Sequence, residues 1–354
     1  MVMDSTPDQN SSWIYSIRAM VSPDRITQRR SLSGMPQYFT TCRFLVWFVL
    51  SVLLCGNQSA YAIDFKGALT LNVFNMTGEN SYTSSFDGGK SILKWPIDMK
   101  TAGINLLLSG DDLVEIEIGL MTEPWGQNAA PMKDYDYIDE SRYTGRPTHE
   151  GVDIYSESTL DSRALIFGVQ SRVFPYRTKN LSAGVSAGYE YQEFDYRAYN
   201  THQVGFGSWD DQSSIVTGPV SFYALDYDIY SLGLVVRPVI EDVLIITLGA
   251  SVLPYVVSND EDEHLRRSRI SISSCKGSGY QTSLSTAFRT SEKWFISTQC
   301  SLRKIHINGH TSQYWYGDDP ATPHYDDTGQ TLANIDTKID QDTFRLAIGA
   351  TYQF

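Results

Sequence analysis

The end of the chain alternates with period two. Phe344, Leu346, Ile348, Ala350, Tyr352 and Phe354 interleave with Arg345, Ala347, Gly349, Thr351 and Gln353. In a β-strand such alternation puts one row on each face. An apolar, aromatic row beside a polar or small row suits a wall with lipid outside and a polar interior. The pattern recurs less cleanly elsewhere. Phe65, Gly67, Leu69, Leu71 and Val73 make one face of a first strand. Val114, Ile116, Ile118 and Leu120 alternate with Glu115, Glu117 and Gly119. The full pass predicts about ten strands, near 64–75, 91–108, 113–124, 157–174, 181–198, 219–236, 243–257, 267–288, 293–308 and 341–354. Short connections fall at 109–112, 175–180, 237–242 and 289–292. Long ones cover 76–90, 125–156, 199–218, 258–266 and 309–340. Short and long alternate, so all the long ones leave one rim. The expected fold is all-β, a ten-stranded antiparallel transmembrane β-barrel with short periplasmic turns and long outer loops. A soluble β-sandwich is the competing fold, and its strands would be shorter.

Composition changes this picture little; the segment ahead of it changes it more. The chain has 354 residues, 42% hydrophobic and 12% aromatic, with 22 Tyr to supply interfacial girdles. The strongest apolar run, Phe44 to Cys55, is too short for a membrane-spanning helix. It follows Arg43 and leads to Ala60-Tyr61-Ala62, the form of a secretory signal cut after Ala62. Residues 1–62 are therefore expected to be a leader, with the signal at 35–62, translation starting at Met35 and 1–34 an upstream misreading. Residues 63–354 would form the barrel. Cys55 follows Leu54 rather than a small residue, which speaks against lipidation. Removing 1–62 takes away five basic and three acidic side chains and moves the net charge from −13 to −15. That excludes nucleic acid as a natural partner and favours cationic ligands. Cys275 and Cys300 are too few for a disulfide scaffold, and their pairing stays open. No Rossmann glycine motif, Walker loop or metal-spaced Cys/His cluster occurs, so no metal or other cofactor is expected.

Candidate chemistry lies in the long connections. Asn259-Asp260-Glu261-Asp262-Glu263-His264 carries a carboxylate two residues before a histidine. Period two would put Asp262 and His264 on one side, where the acid can orient the ring to accept a proton. Asp134-Tyr135-Asp136 holds a second carboxylate pair at the same spacing, and Glu79 lies in the first long connection. On one rim these groups can face one another and activate a water. Histidine accepts the proton, Asp262 sets its tautomer, and Asp134 with Asp136 positions the water. An acidic rim that binds cations, or bridges lipopolysaccharide phosphates through divalent ions, is the alternative.

These segments resemble the omptin family of ten-stranded outer-membrane proteases. Met132-Lys133-Asp134-Tyr135-Asp136-Tyr137-Ile138-Asp139 is similar to the segment with the family's catalytic aspartate pair. Ser258 to His264 is similar to the segment with its Asp–His dyad. Thr77-Gly78-Glu79-Asn80-Ser81-Tyr82, ahead of Gly88-Gly89, resembles the segment whose glutamate binds the P1 side chain. The resemblance covers the whole chain after the leader. It implies that Asp134, Asp136, Asp262 and His264 are catalytic, and that Glu79 and Asp260 bind substrate. It implies cleavage of cationic peptides after Arg or Lys, often between two basic residues, without an acyl-enzyme. It also implies an outer membrane of a Gram-negative bacterium, a site facing outward, and lipopolysaccharide as activator.

The departures bear on that last point. In Tyr191-Gln192-Glu193-Phe194-Asp195-Tyr196, aligned with the family's lipid A contacts, Asp195 stands where an arginine is expected. Asp226 replaces a second. Tyr143 stands where a histidine is usual. Ser141 with His149 offers a serine-protease reading that nothing in the loop supports geometrically. A non-enzymatic barrel, serving as adhesin or structural protein, remains the rival function. Oligomeric state is not legible.

Overall fold

The computed structural model describes residues 65–86, 88–111, 113–123, 127–138, 151–320 and 326–354. The expected leader, and Ser141, Tyr143 and His149, lie outside them. Among the described residues eleven antiparallel strands form one sheet: β1 (Phe65–Phe86), β2 (Gly89–Gly110), β3 (Val114–Thr122), β4 (Gln127–Ile138), β5 (Ile154–Arg177), β6 (Leu181–Gly205), β7 (Ser214–Ile240), β8 (Leu244–His264), β9 (Arg269–Arg289), β10 (Trp294–Trp315) and β11 (Thr331–Gln353). β1 pairs with both β2 and β11, so the sheet closes into a ring. β3 pairs with 102–110 of β2 and β4 with 89–94 of the same strand. β3 and β4 also share β5, and thus occupy one place between them. The ring therefore has the ten places that the hydrophobic pattern indicated.

The strands are much longer than that pattern showed. They reach 21–27 residues except at the shared place. A tilted crossing of the hydrocarbon needs only about 9–11. Large apolar side chains exposed on the outer wall concentrate near the short turns. They include Leu69, Leu71, Val73, Ile118, Leu120, Leu232, Leu234, Leu248, Val252, Leu284, Ile296, Leu302, Leu346 and Ile348. This is the lipid band. Beyond it the strands continue with water on their outer face, so both faces can be polar and the period-two signal disappears. That is why 76–86 and 258–264 read as loops yet are strand, with a turn at 265–268 joining β8 to β9. For the same reason 127–138, inside a supposed loop, is β4.

The interior is not simply polar. Inside the band, inward arginines are matched by carboxylates: Arg303 and Arg345 both grip Glu190, and Arg237 and Arg172 both reach Glu115. Above them Met76, Trp95, Ile97, Met99, Phe194, Leu225, Tyr227, Leu253, Ile305 and Ile339 form a buried core. Apolar packing across the lumen ties the far walls together where no lipid presses on them. The layers have different sensitivities. Leu248→Arg, on the lipid face, should lower unfolding free energy in vesicles by about 2–4 kcal/mol. Glu261→Arg, exposed on the same strand above the band, should cost less than about 1 kcal/mol. Equal effects in urea titrations would misplace the membrane.

Candidate active site

β8 decides what faces the mouth. Opposite β9 its register slips between Leu253 and Val256. Pro254 sits there without an N–H to donate, and the extra residue makes a β-bulge. Below it Leu253 is buried while Leu248 and Val252 are exposed. Above it Val256, Ser258, Asp260 and Asp262 are buried. The inward row thus changes from odd to even numbers. Without the bulge, Asn259, Glu261 and Glu263 would line the mouth instead.

Asp262 and His264 meet. His264 Nε2 lies 3.0 Å from Asp262 Oδ2. Ser221 on β7 donates its hydroxyl proton to the other oxygen, Oδ1. Burial alone would raise the Asp262 pKa, but His264, Ser221 and Arg269 together hold it below the usual carboxylate range. The His264 pKa is lowered, first by burial and then by Arg269 and Arg267, against the pull of Asp262. The imidazole is therefore neutral at neutral pH. With Nε2–H donated to Asp262, Nδ1 is left as an acceptor.

β4 brings Asp134 and Asp136 to the same interior. In register Asp134 lies opposite Leu93, whose side chain is buried inward, and Asp136 lies opposite Ser91. Ser91 Oγ donates to Asp134 Oδ1 at 3.0 Å. Burial and the charge of Asp136 push the Asp134 pKa up; Ser91 and Arg267 oppose this, and Asp262 adds to it. Asp136 is also raised by burial, against Arg267, Ser91, Arg269 and His264. The two pairs thus feel each other's charge. β4 and β8 stand four places apart one way round the ring and six the other, so they face across the mouth.

Asp260 sits one inward position deeper than Asp262, almost fully buried. Ser273 donates to its Oδ1 at 3.0 Å, while Oδ2 receives no hydrogen bond from the protein. Burial, helped by Asp262 and Asp226, pushes its pKa up to about 8 against Ser273. Tyr82 and Tyr223, whose hydroxyls feel this charge, lie beside it. Tyr223 stacks on Trp95 with ring centres 4.6 Å apart.

Glu79 is not brought to this pocket. Asn80 and Tyr82 on β1 are buried inward, so Glu79 points out, where Lys94 Nζ binds its Oε1 at 2.9 Å. The inward place belongs to Asn80, which accepts from Tyr227 and Gln341 and donates to Tyr196. The expectation that Glu79 stands beside Asp260 is corrected, because the neighbouring residue takes the inward row. On the outer wall the Tyr191 hydroxyl lies 3.2 Å from Glu193 and 3.1 Å from Asp226. Glu193 and Asp226 are cross-strand partners, as are Asp195 and Arg163. The aromatic cluster at 314–316 braces the β8–β9 turn. Tyr316 bonds Glu263 at 3.3 Å and Arg269 lies over Trp315 at 5.6 Å. Ser91, Ser221 and Ser273 escaped the sequence reading. A single serine carries no signal until register sets it opposite an acid. Among the described residues no group of three His, Cys, Asp or Glu side chains is disposed to hold a metal. Cys275 and Cys300 are both free thiols.

The ring, the lipid band and the acidic mouth above it define a transmembrane β-barrel of the outer-membrane type with a built polar site at one end. The chain belongs to the omptin family, whose model matches residues 69–354. No curated protein matches. Among solved structures, the outer membrane protease OmpT from Escherichia coli matches with a TM-score of 0.67 at 14% identity, covering 84% of this chain and 99% of that one. That likeness is one of fold. The outer membrane protein OprG from Pseudomonas aeruginosa, at 12% identity over 82% of this chain and 96% of its own, reaches only 0.32.

The raised pKa of Asp260 sets a stability test. Its folded pKa lies above the unfolded value, so ionisation opposes folding. The cost is absent below about pH 4, grows as pH rises, and is complete above about pH 8. Asp260→Asn should therefore match the wild type in unfolding free energy from urea titration at pH 4 and exceed it at pH 8, by on the order of a few kcal/mol. A wild type as stable at pH 8 as the variant would show that Asp260 is already compensated.

Proposed function

We propose that this chain is an outer-membrane endopeptidase whose site faces outward and cleaves cationic peptides after Arg or Lys. The facing of Asp262–His264 and Asp134–Asp136 across the water-exposed mouth carries this reading. A water between the pairs gives its proton to His264 Nδ1 as its oxygen attacks the scissile carbonyl. Asp262 stabilises the imidazolium that forms. Asp134 and Asp136, held close and raised in pKa, share a proton and hold the water between them. His264 then returns its proton to the leaving amine, so no acyl-enzyme forms. Nothing in this sequence calls for a metal or an organic cofactor.

Substrate charge is the second part of the reading. A net charge of −15 after the leader draws cationic peptides to the mouth. Asp260, with an oxygen left unbonded, is the carboxylate set to receive a basic side chain. Lipopolysaccharide as activator rests on the resemblance alone, since acids stand at the two wall positions where arginines are expected. The rival is a barrel of the same family that binds without cleaving.

Refolded 63–354 with a quenched Arg-Arg peptide, with and without lipopolysaccharide, separates the two. Wild type should cleave, and Asp134→Ala and His264→Ala should each lose about 100-fold or more. Activity should fall in acid as His264 protonates, with a midpoint below 6.5. Cleavage that survives His264→Ala would sink the mechanism. No cleavage of any basic peptide would leave the binding barrel.

A further inference from the structure

Asp262 is held from two sides. One oxygen faces His264 Nε2 at 3.0 Å, and the other accepts the hydroxyl proton of Ser221. Ser221 lies directly opposite His264 in the β7–β8 register, and both it and Asp262 are buried. We propose that Ser221 is the positioning residue of this dyad, anchoring Asp262 so that its second oxygen stays on His264. This rests on the protease reading for its consequence, though not for its geometry.

The surroundings explain why an anchor matters. The charged and polar groups facing Asp262 are His264 and Asp260 on its own strand, Ser221 and Tyr223 on β7, Ser271 and Arg269 on β9 and Asp134 on β4. His264 in turn faces Asp262, Arg269, Arg267 and Asp136. Arg269 is the competitor. It lies opposite His264 in the β8–β9 register, its charge acts on Asp262, and its buried Nε makes no hydrogen bond. A guanidinium with an unmet donor takes a nearby carboxylate in a charge-assisted bond. Asp262 turned toward β9 would leave the imidazole without its orienting anion. Ser221 holds the carboxylate from the β7 side, the side away from Arg269. Its own proton stays on its oxygen throughout, so it does no proton transfer.

Ser221→Ala, Ser221→Thr and Ser221→Cys test this, with folding checked by the mobility of the unheated barrel in SDS. Two readouts are needed: kcat and KM on the Arg-Arg peptide against pH, and NMR titration of the His264 ring, assigned by its loss in His264→Asn. Ser221→Ala should lower kcat about 10- to 100-fold with KM little changed. The His264 midpoint and the acid limb of kcat should both move to lower pH, because the anion that raises them has moved away. Ser221→Thr keeps the hydroxyl and should restore most of both; Ser221→Cys, a weak donor, should fall between. A wild-type kcat and an unmoved His264 titration in Ser221→Ala would overturn the proposal, as would Ser221→Thr behaving like alanine. Should wild type cleave nothing, the protease reading fails by itself, and the ring titration still decides whether Ser221 holds the dyad.

Discussion

A bilayer offers no hydrogen-bond partners, so every backbone N–H and C=O within it has to be paired inside the protein. For strands that leaves only closure, and β1 meeting β11 is the contact on which the rest depends. Closure sets an inside and an outside, and period two then assigns every residue to one of them. Once the ring is closed, a functional group is placed by counting. A carboxylate is in the mouth or on the wall according to parity, height and the bulges that change parity.

Height separates three interiors with different electrostatics. In the band, Glu190 and Glu115 are each gripped by arginines. In the middle, aromatic and aliphatic side chains pack into a buried core. At the mouth, acids are packed with too few cations, and their pKa values spread. Asp262 is held low by His264 and Ser221 while Asp134, Asp136 and Asp260 are pushed high. Like carboxylates in nearly one place, ionising over different ranges, are what acid–base chemistry on a water requires.

Much of the barrel was legible because lipid enforces a strict rule. Phe344 to Phe354 alternates without error, and the short turns near 110, 178, 240 and 290 lie where they were read. The upper walls were not legible, since strands with water outside and a polar mouth inside look like loops in sequence. The acidic run was conspicuous by composition, yet its inward members were not settled by it. Pro254 marks the bulge that decides them, but a lone proline in an apolar run has several readings. Glu79 shows the cost of reading residue type without parity: its neighbour Asn80 faces in.

By itself the sequence determined the class of fold, the ten places of the ring, the rim that carries the acids and the family to which they belong. These follow from local patterns, because the hydrophobic alternation and the short motifs are properties of neighbours in the chain. Tertiary structure alone decided that Asp262 is anchored by Ser221, that Asp134 leans on Ser91, that Asp260 stands without Glu79, and that the two acidic pairs face across one mouth. Each of those pairings joins residues brought together only by strand register and ring closure, and neither is written in any single stretch of the chain.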